Sequence, residues 1–249
     1  MSHLRVVSDP EALAHAAAQE FLRLGVEAIR ARGRFDAVLS GGSTPRATYE
    51  RIAATWKEAP GGPLDWTRVR LFWGDERHVP PDDPQNNYRM ANDAMIEHVP
   101  IPPENIYPVP SAIPDAREAA SRYEARIMEA LHLGPDDVPR FDLILLGMGP
   151  DGHVASIFPG TEAVEEEKRL VMGNWVDATK TWRITLTLPV LNHAANVIVL
   201  VAGAEKAPAL RRVVRGPHTP PLLPAERLNN KDGTLLWLAD REAAGAPPD

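Results

Sequence analysis

Phe141-Asp142-Leu143-Ile144-Leu145-Leu146-Gly147-Met148-Gly149-Pro150-Asp151-Gly152-His153 is the stretch whose reading decides the fold. Residues 141–146 are dominated by apolar side chains, the pattern of a strand buried on both faces. The turn that follows carries a formal G-x-G-x-x-G at Gly147, Gly149 and Gly152, which a dinucleotide-binding turn would share. Such a turn feeds a full helix packed on its sheet. Here Phe158-Pro159-Gly160 breaks the chain within about two turns of His153. Asp151 and His153 would also crowd a pyrophosphate, and Asp151 would repel it. The pair suits acid–base work instead, a carboxylate fixing an imidazole whose ordinary pKa of about 6.5 lies near neutrality. One His and one Asp are too few ligands for a metal. A structural histidine is the plain alternative.

Outward from that stretch, helix and strand patterns alternate. Asp9-Pro10-Glu11 reads as a helix start, with Asp9 as cap and Pro10 at the first helical position. Leu13, Ala17, Phe21, Leu24 and Ala28 then recur at helical spacing as far as Gly33. Strands are expected at 35–39, 69–73, 106–109, 170–176, 183–188, 196–201 and 234–238, and helices at 45–54, 86–98, 115–131 and 205–214. The alternation implies an α/β fold with a doubly wound, mainly parallel, Rossmann-like sheet flanked by helices. A single domain over 1–249 is expected, with the proline-rich stretches 100–114 and 216–224 as surface loops and 241–249 as a frayed tail.

Ligands in such a sheet bind beyond the carboxyl ends of the strands, and three further segments fall there. Ser40-Gly41-Gly42-Ser43-Thr44-Pro45 joins a strand to a helix start. Gly41 and Gly42 let backbone amides approach an anion, Ser43 and Thr44 offer hydroxyls, and the helix terminus adds its dipole. The same residues suit a tight turn with Thr44 as a simple helix cap, and no lysine follows to make a Walker loop. Trp73-Gly74-Asp75-Glu76-Arg77-His78 sets a carboxylate beside a guanidinium, as either a functional pair or a solvated charge cluster. Arg183, and Lys206 in Ala202-Gly203-Ala204-Glu205-Lys206, each place a cation where a strand meets its loop. Together with Arg77 they could hold a doubly charged phosphate.

Composition narrows the classes. Hydrophobic residues make up 44% and charged residues 24% of the 249, an ordinary globular balance. The absence of cysteine excludes disulfides, a thiolate nucleophile, Cys-ligated zinc and iron–sulfur clusters. A formal charge of −7 argues against a nucleic-acid partner, and means that an anionic substrate must be held by local cations and amides. Neither a signal sequence nor an apolar run of spanning length occurs, so no membrane partner and a cytoplasmic location are expected.

The four segments, in order across nearly the whole chain, resemble the 6-phosphogluconolactonase family, whose fold is shared with glucosamine-6-phosphate deaminase. The matching stretches are Leu39-Ser40-Gly41-Gly42-Ser43-Thr44-Pro45, Trp73-Gly74-Asp75-Glu76-Arg77, the run from Gly147 through His153 to Gly160, and Arg183-Ile184-Thr185-Leu186-Thr187 leading to Gly203-Ala204-Glu205-Lys206. The resemblance implies a deaminase-type fold and hydrolysis of 6-phospho-D-glucono-1,5-lactone to 6-phospho-D-gluconate in the pentose phosphate pathway, with no metal and no organic cofactor. The partner expected is the sugar-phosphate lactone alone, bound by a monomer or small homo-oligomer. Deaminases carry an Asn-Glu-Pro ending after the histidine, whose acid supports ring opening. Phe158-Pro159-Gly160 stands here, and Gly74-Asp75-Glu76-Arg77 is also the lactonase form. A non-catalytic sensor on this fold would need an appended helix-turn-helix, for which a chain starting almost at its first helix leaves no room.

On this reading neutral His153 takes a proton from the attacking water and returns one to the ring oxygen as it leaves. Asp151 or Asp75 orients the imidazole or the water. Gly41, Gly42, Ser43 and Thr44 receive the phosphate, with Arg77, Arg183 and Lys206 as its cations. A covalent route is disfavoured, since there is no cysteine and no G-x-S-x-G elbow.

Overall fold

The computed structural model describes residues 2–245. In chain order its elements are β1 (Ser2–Val7), α1 (Pro10–Arg32), β2 (Phe35–Leu39), α2 (Ser43–Thr55), β3 (Val69–Trp73), β4 (Asp75–Arg77), α3 (Asn87–Ala94), β5 (Ile106–Tyr107) and α4 (Ala116–Leu131). Then come β6 (Leu143–Gly147), β7 (Val171–Val176), β8 (Thr181–Leu186), α5 (Leu188–His193), β9 (Asn196–Val201), α6 (Ala207–Arg215), β10 (Thr234–Asp240) and α7 (Arg241–Ala244).

Seven strands form one sheet in the order β1-β10-β9-β6-β2-β3-β5, with neighbours parallel throughout. Phe35, Ala37, Val38 and Leu39 of β2 and Leu143 to Leu146 of β6 are fully enclosed. Strands covered on both faces have no solvent side to mark with polar residues, hence their apolar runs. The α1 boundaries follow from local chemistry. The Asp9 carboxylate accepts the Ala12 N–H at 2.8 Å, Pro10 needs no donor there, and Gly33 closes the helix at φ +78°. Its inner face carries Leu13, Ala17 and Phe21, and the Phe21 ring meets Phe35 of β2 edge-on at 5.2 Å.

The chain leaves β2 toward β3 on one side and leaves β6 toward β9 on the other. Connections that diverge this way open a crevice at the carboxyl ends of the two strands. The turns 40–45 and 147–153 both emerge there.

At Gly74 the chain crosses to a second sheet, three-stranded and antiparallel, in the order β4-β8-β7. The Gly74 N–H donates to Leu39 O and its carbonyl accepts the Leu186 N–H, both at 2.8 Å, so one residue ties the two sheets together. Several expectations are corrected here. The strands near 170–176 and 183–188 leave the parallel sheet and form the β7–β8 hairpin. The second of them ends at Leu186, because Leu188-Pro189 opens α5 with proline in its first turn. Asp75–Arg77, read as a charged segment after β3, is itself a strand. Strand β1 and helix α5 gave no usable sequence signal, β1 being an edge strand with Leu4 and Val6 exposed. The segment 106–109 pairs over two residues only. The tail is more ordered than expected through residue 245: Asp240 accepts the Ala243 N–H at 2.7 Å and caps α7, and Ala243 is buried. Residues 246–249 of that tail lie outside the described residues. Among the described residues no helix is long and apolar enough to cross a membrane.

Candidate active site

A cavity of about 420 Å³ opens where β2 and β6 end, walled by both sheets. The end expected to bind an anion starts at α2. Gly42 occupies the cap position at φ +109°, which places Ser43 and Thr44 in the first turn with no side chain capping the helix. Thr44 is therefore not the helix cap, and the terminal N–H groups face the cavity together with both hydroxyls. Gly41 permits the close approach behind this turn: a Cβ there would fall 1.9 Å from Asn87 Oδ1.

Opposite stands the small sheet. Period-two alternation along β4 sends Asp75 and Arg77 into the cavity wall and Glu76 to the other face. Arg77 pairs in register with Arg183 of β8, so two guanidiniums lie side by side. Arg77 donates to a backbone carbonyl, Gln85 O at 2.7 Å, and Arg183 has a buried Nε with no hydrogen-bond partner. Burial and the neighbouring Arg77 charge hold the Arg183 guanidinium below its usual range. Lys206, in the turn that leads into α6, adds a third cation and stands 3.9 Å from Glu205.

Glu76 has a different task. Its carboxylate accepts the N–H groups of Arg77 (2.8 Å), Asn87 (2.7 Å) and Tyr88 (2.9 Å), and so fixes β4 to the first turn of α3. Burial pushes its carboxyl up to about 7 despite those donors, with the Asp75 charge adding to the rise. The folded value lies above the ordinary 4.5, so folding takes up a proton between the two. The contribution of Glu76 to stability is complete below about 4.5 and is lost as pH rises to about 7. Urea unfolding of the parent at pH 5 and pH 7.5 is expected to show that decline. Glu76→Gln is expected to be less stable overall and to decline less across the same window, where buried Asp142 still contributes, and an equal slope in the two proteins contradicts this.

The histidine expected to act as base lies in the turn after β6. His153 Nδ1 lies 2.6 Å from Asp151 Oδ1, and the Phe158 ring stacks on the imidazole at 4.0 Å and 25°. Burial raises the Asp151 carboxyl, but the hydrogen bond and charge of His153 outweigh it and hold Asp151 below its usual range. An ionised Asp151 can only accept, so it favours the His153 tautomer with its proton on Nδ1, and His153 lines the cavity. Gly149 makes this packing possible, since a Cβ there would come 2.1 Å from His153 Nδ1 and 2.6 Å from Asp151 Oδ1. Gly149→Ala is therefore expected to displace the imidazole and lower kcat more than tenfold with little change in Tm. Unchanged kcat in the folded variant contradicts this.

The residues singled out in the sequence converge. Gly41, Gly42, Ser43, Thr44, Asp75, Arg77, His153, Arg183 and Lys206 all line the cavity. Asp151 does not; it stands behind His153, bonded to the ring. Asp75 is bonded to Ser156 instead, whose hydroxyl donates to its Oδ2 at 2.6 Å. Ser156, Phe158 and Thr179 line the cavity without having been assigned a role from sequence. Ser156 and Phe158 lie within the motif itself, whereas Thr179, in the β7–β8 turn, had no signal at all.

The chain is similar over most of its length to known proteins. The 6-phosphogluconolactonase of Nostoc sp. is 43% identical over 219 residues, spanning 88% of this chain and 87% of its own. That of Mycobacterium tuberculosis is 36% identical over 254 residues and 99% of both chains. The solved 6-phosphogluconolactonase of Trypanosoma cruzi superposes with a TM-score of 0.85 at 31% identity, over 98% of this chain and 96% of that one. Residues 8–237 match the family of glucosamine-6-phosphate isomerases and 6-phosphogluconolactonases, and the chain belongs to that family.

Proposed function

We propose that the chain hydrolyses 6-phospho-D-glucono-1,5-lactone to 6-phospho-D-gluconate. The observation that carries the reading is a carboxylate-held imidazole in a cavity that also presents paired arginines on the small sheet and, opposite them, a helix N-terminus. The names of the relatives point to the same substrate. The phosphate rests on the α2 terminus, Arg77, Arg183 and Lys206, and the lactone carbonyl lies toward His153. Nε2 takes a proton as water attacks C1, and a tetrahedral oxyanion forms. The bond from C1 to the ring oxygen then breaks, and the Nε2 proton passes to that oxygen. Asp151 remains ionised, orients the ring and stabilises the imidazolium. Asp75, tied to Ser156, is left to position water or a sugar hydroxyl. The products balance with water alone, so no redox partner or acceptor enters.

The lactone also opens spontaneously, so the test is a prompt coupled assay. Lactone is generated in situ, and 6-phosphogluconate release is followed with and without the protein. A rate far above the blank and proportional to protein supports the reading. A rate equal to the blank overturns it, and ammonia release from glucosamine 6-phosphate would identify a deaminase in its place.

A further inference from the structure

Glu226 lies outside the cavity, yet its side chain is fully enclosed. A buried carboxylate is costly unless it is paired and hydrogen-bonded, and Glu226 is held three ways. Arg212 Nε stands 2.8 Å from Oε2, the Leu223 N–H donates to the same oxygen at 2.7 Å, and His218 Nδ1 lies 3.1 Å from Oε1. Arg212 also donates to the carbonyls of Thr219 and Pro221. The segment from His218 to Glu226 is thus wound around one ion pair.

Its far side meets the reactive turn. The Ala225 N–H donates to Gly152 O at 2.9 Å. Leu223 packs so closely on Gly152, which is at φ +76°, that a Cβ on the glycine would fall 2.7 Å from Leu223 Cδ1. Gly152 joins Asp151 to His153. The other end of the pair belongs to α6, the helix that starts directly after Lys206. One helix therefore carries the phosphate cation at its start and the anchor of this strap in its last turn.

We infer that Glu226 is a positioning residue: through Leu223 and Ala225 it presses the Asp151-Gly152-His153 turn into place, and through Arg212 it ties that turn to the phosphate-binding helix. The Asp151–His153 contact is short and partly exposed, and the turn's own bonds, Gly149 N–H to His153 O (2.9 Å) and Gly152 N–H to Gly149 O (3.0 Å), close it on itself. Met148 and Val154 anchor its two ends in the core, and the strap holds its middle at Gly152. Its effect falls on the reacting end, since neither Glu226 nor Leu223 touches the cavity.

The kinetic arm of the test rests on the lactonase reading, and the spectroscopic arm does not. Leu223→Ala leaves the ion pair intact and removes only the pressure on Gly152. It is expected to lower kcat at least fivefold with KM within twofold, and to weaken or lose the downfield Nδ1 proton signal of His153, assigned by comparison with His153→Ala. Leu223→Met is expected to restore both, and Glu226→Ala to behave as Leu223→Ala does. If Glu226→Ala does not fold, Glu226→Gln, which keeps the shape and removes the charge, takes its place, and a folded Glu226 variant with parental kcat and Nδ1 signal overturns the inference. A kcat within twofold of the parent in folded Leu223→Ala, a fall in kcat with the Nδ1 signal unmoved, or no rescue by methionine overturns the inference. Where the parent itself does not exceed the blank, the lactonase reading falls, and the Nδ1 signal alone still decides the role of Glu226.

Discussion

His153→Ala is expected to lower kcat for the lactone by roughly 10²–10⁴, the usual cost of removing a positioned general base. KM should stay within a few-fold of the parent, because the phosphate anchors on the other wall are untouched. The size of the loss follows from how completely the ring is committed. Nδ1 is held by Asp151 and one face is covered by Phe158, while the carboxylate of Asp75 is engaged by the Ser156 hydroxyl. The substitution should fold, since the ring is partly exposed and its removal leaves Asp151 solvated. Asp151→Asn is expected to cost less than His153→Ala, because it leaves the imidazole present but less firmly oriented. Near-parental kcat in folded His153→Ala, read in the prompt coupled assay, would falsify the assignment of the base.

The second large effect is expected at Arg183. Its guanidinium is partly desolvated, faces Arg77 and has an unpartnered buried Nε. Without a ligand, the attraction of Asp75 and Glu76 does not offset its burial and the repulsion from Arg77. Removing one member of a buried, hydrogen-bonded charge contact costs about 2–5 kcal/mol, or roughly 30- to 5000-fold in kcat/KM. Arg183→Met is therefore expected to lose that much on the phosphorylated lactone, mostly in KM, and almost nothing on the same lactone lacking phosphate. Its Tm should equal or exceed the parent value, since an apolar side chain of similar length relieves both the desolvation and the repulsion from Arg77. Arg183→Lys should not rescue binding, because a point charge cannot reproduce the planar donor set. Equal losses on both lactones, or a marked fall in Tm, would remove Arg183 from the phosphate site.

What the sequence reveals tracks what burial imposes on it. Strands β2, β6 and β9 are legible because double-sided burial leaves an apolar run, and α1 because its caps are written in Asp9, Pro10 and Gly33. The change of sheet at Gly74 is not legible. One glycine between Trp73 and Asp75 looks the same whether the chain turns into a loop or into another sheet. The β7–β8 hairpin has the composition of any strand pair, so nothing distinguishes it from members of the parallel sheet. At the site, Asp151 and His153 stand two residues apart and can be paired by inspection, yet their separation from Asp75 cannot be judged that way. Ser156, the actual partner of Asp75, is 81 positions away from it. The hold of Leu223 on Gly152 is likewise a tertiary contact with no local trace, and the strap around Glu226 reads from sequence only as a proline-rich loop.

The crossing at Gly74 has a further consequence on the proposed reading. The paired guanidiniums ride on the small sheet and the imidazole on a turn of the large one, so the joint between the sheets works as a caliper. One jaw carries the two guanidiniums and the other the imidazole with the α2 terminus and Lys206, and they are joined by the two backbone bonds of Gly74 and by the contacts of Ser156 with Asp75, Thr185 and Asn174. A misplacement of about 1 Å can cost on the order of 10²-fold in rate, and one carbon more or less in the sugar moves the carbonyl by at least that distance. On that reading, the way the two sheets are joined helps to set the length of sugar phosphate that can react.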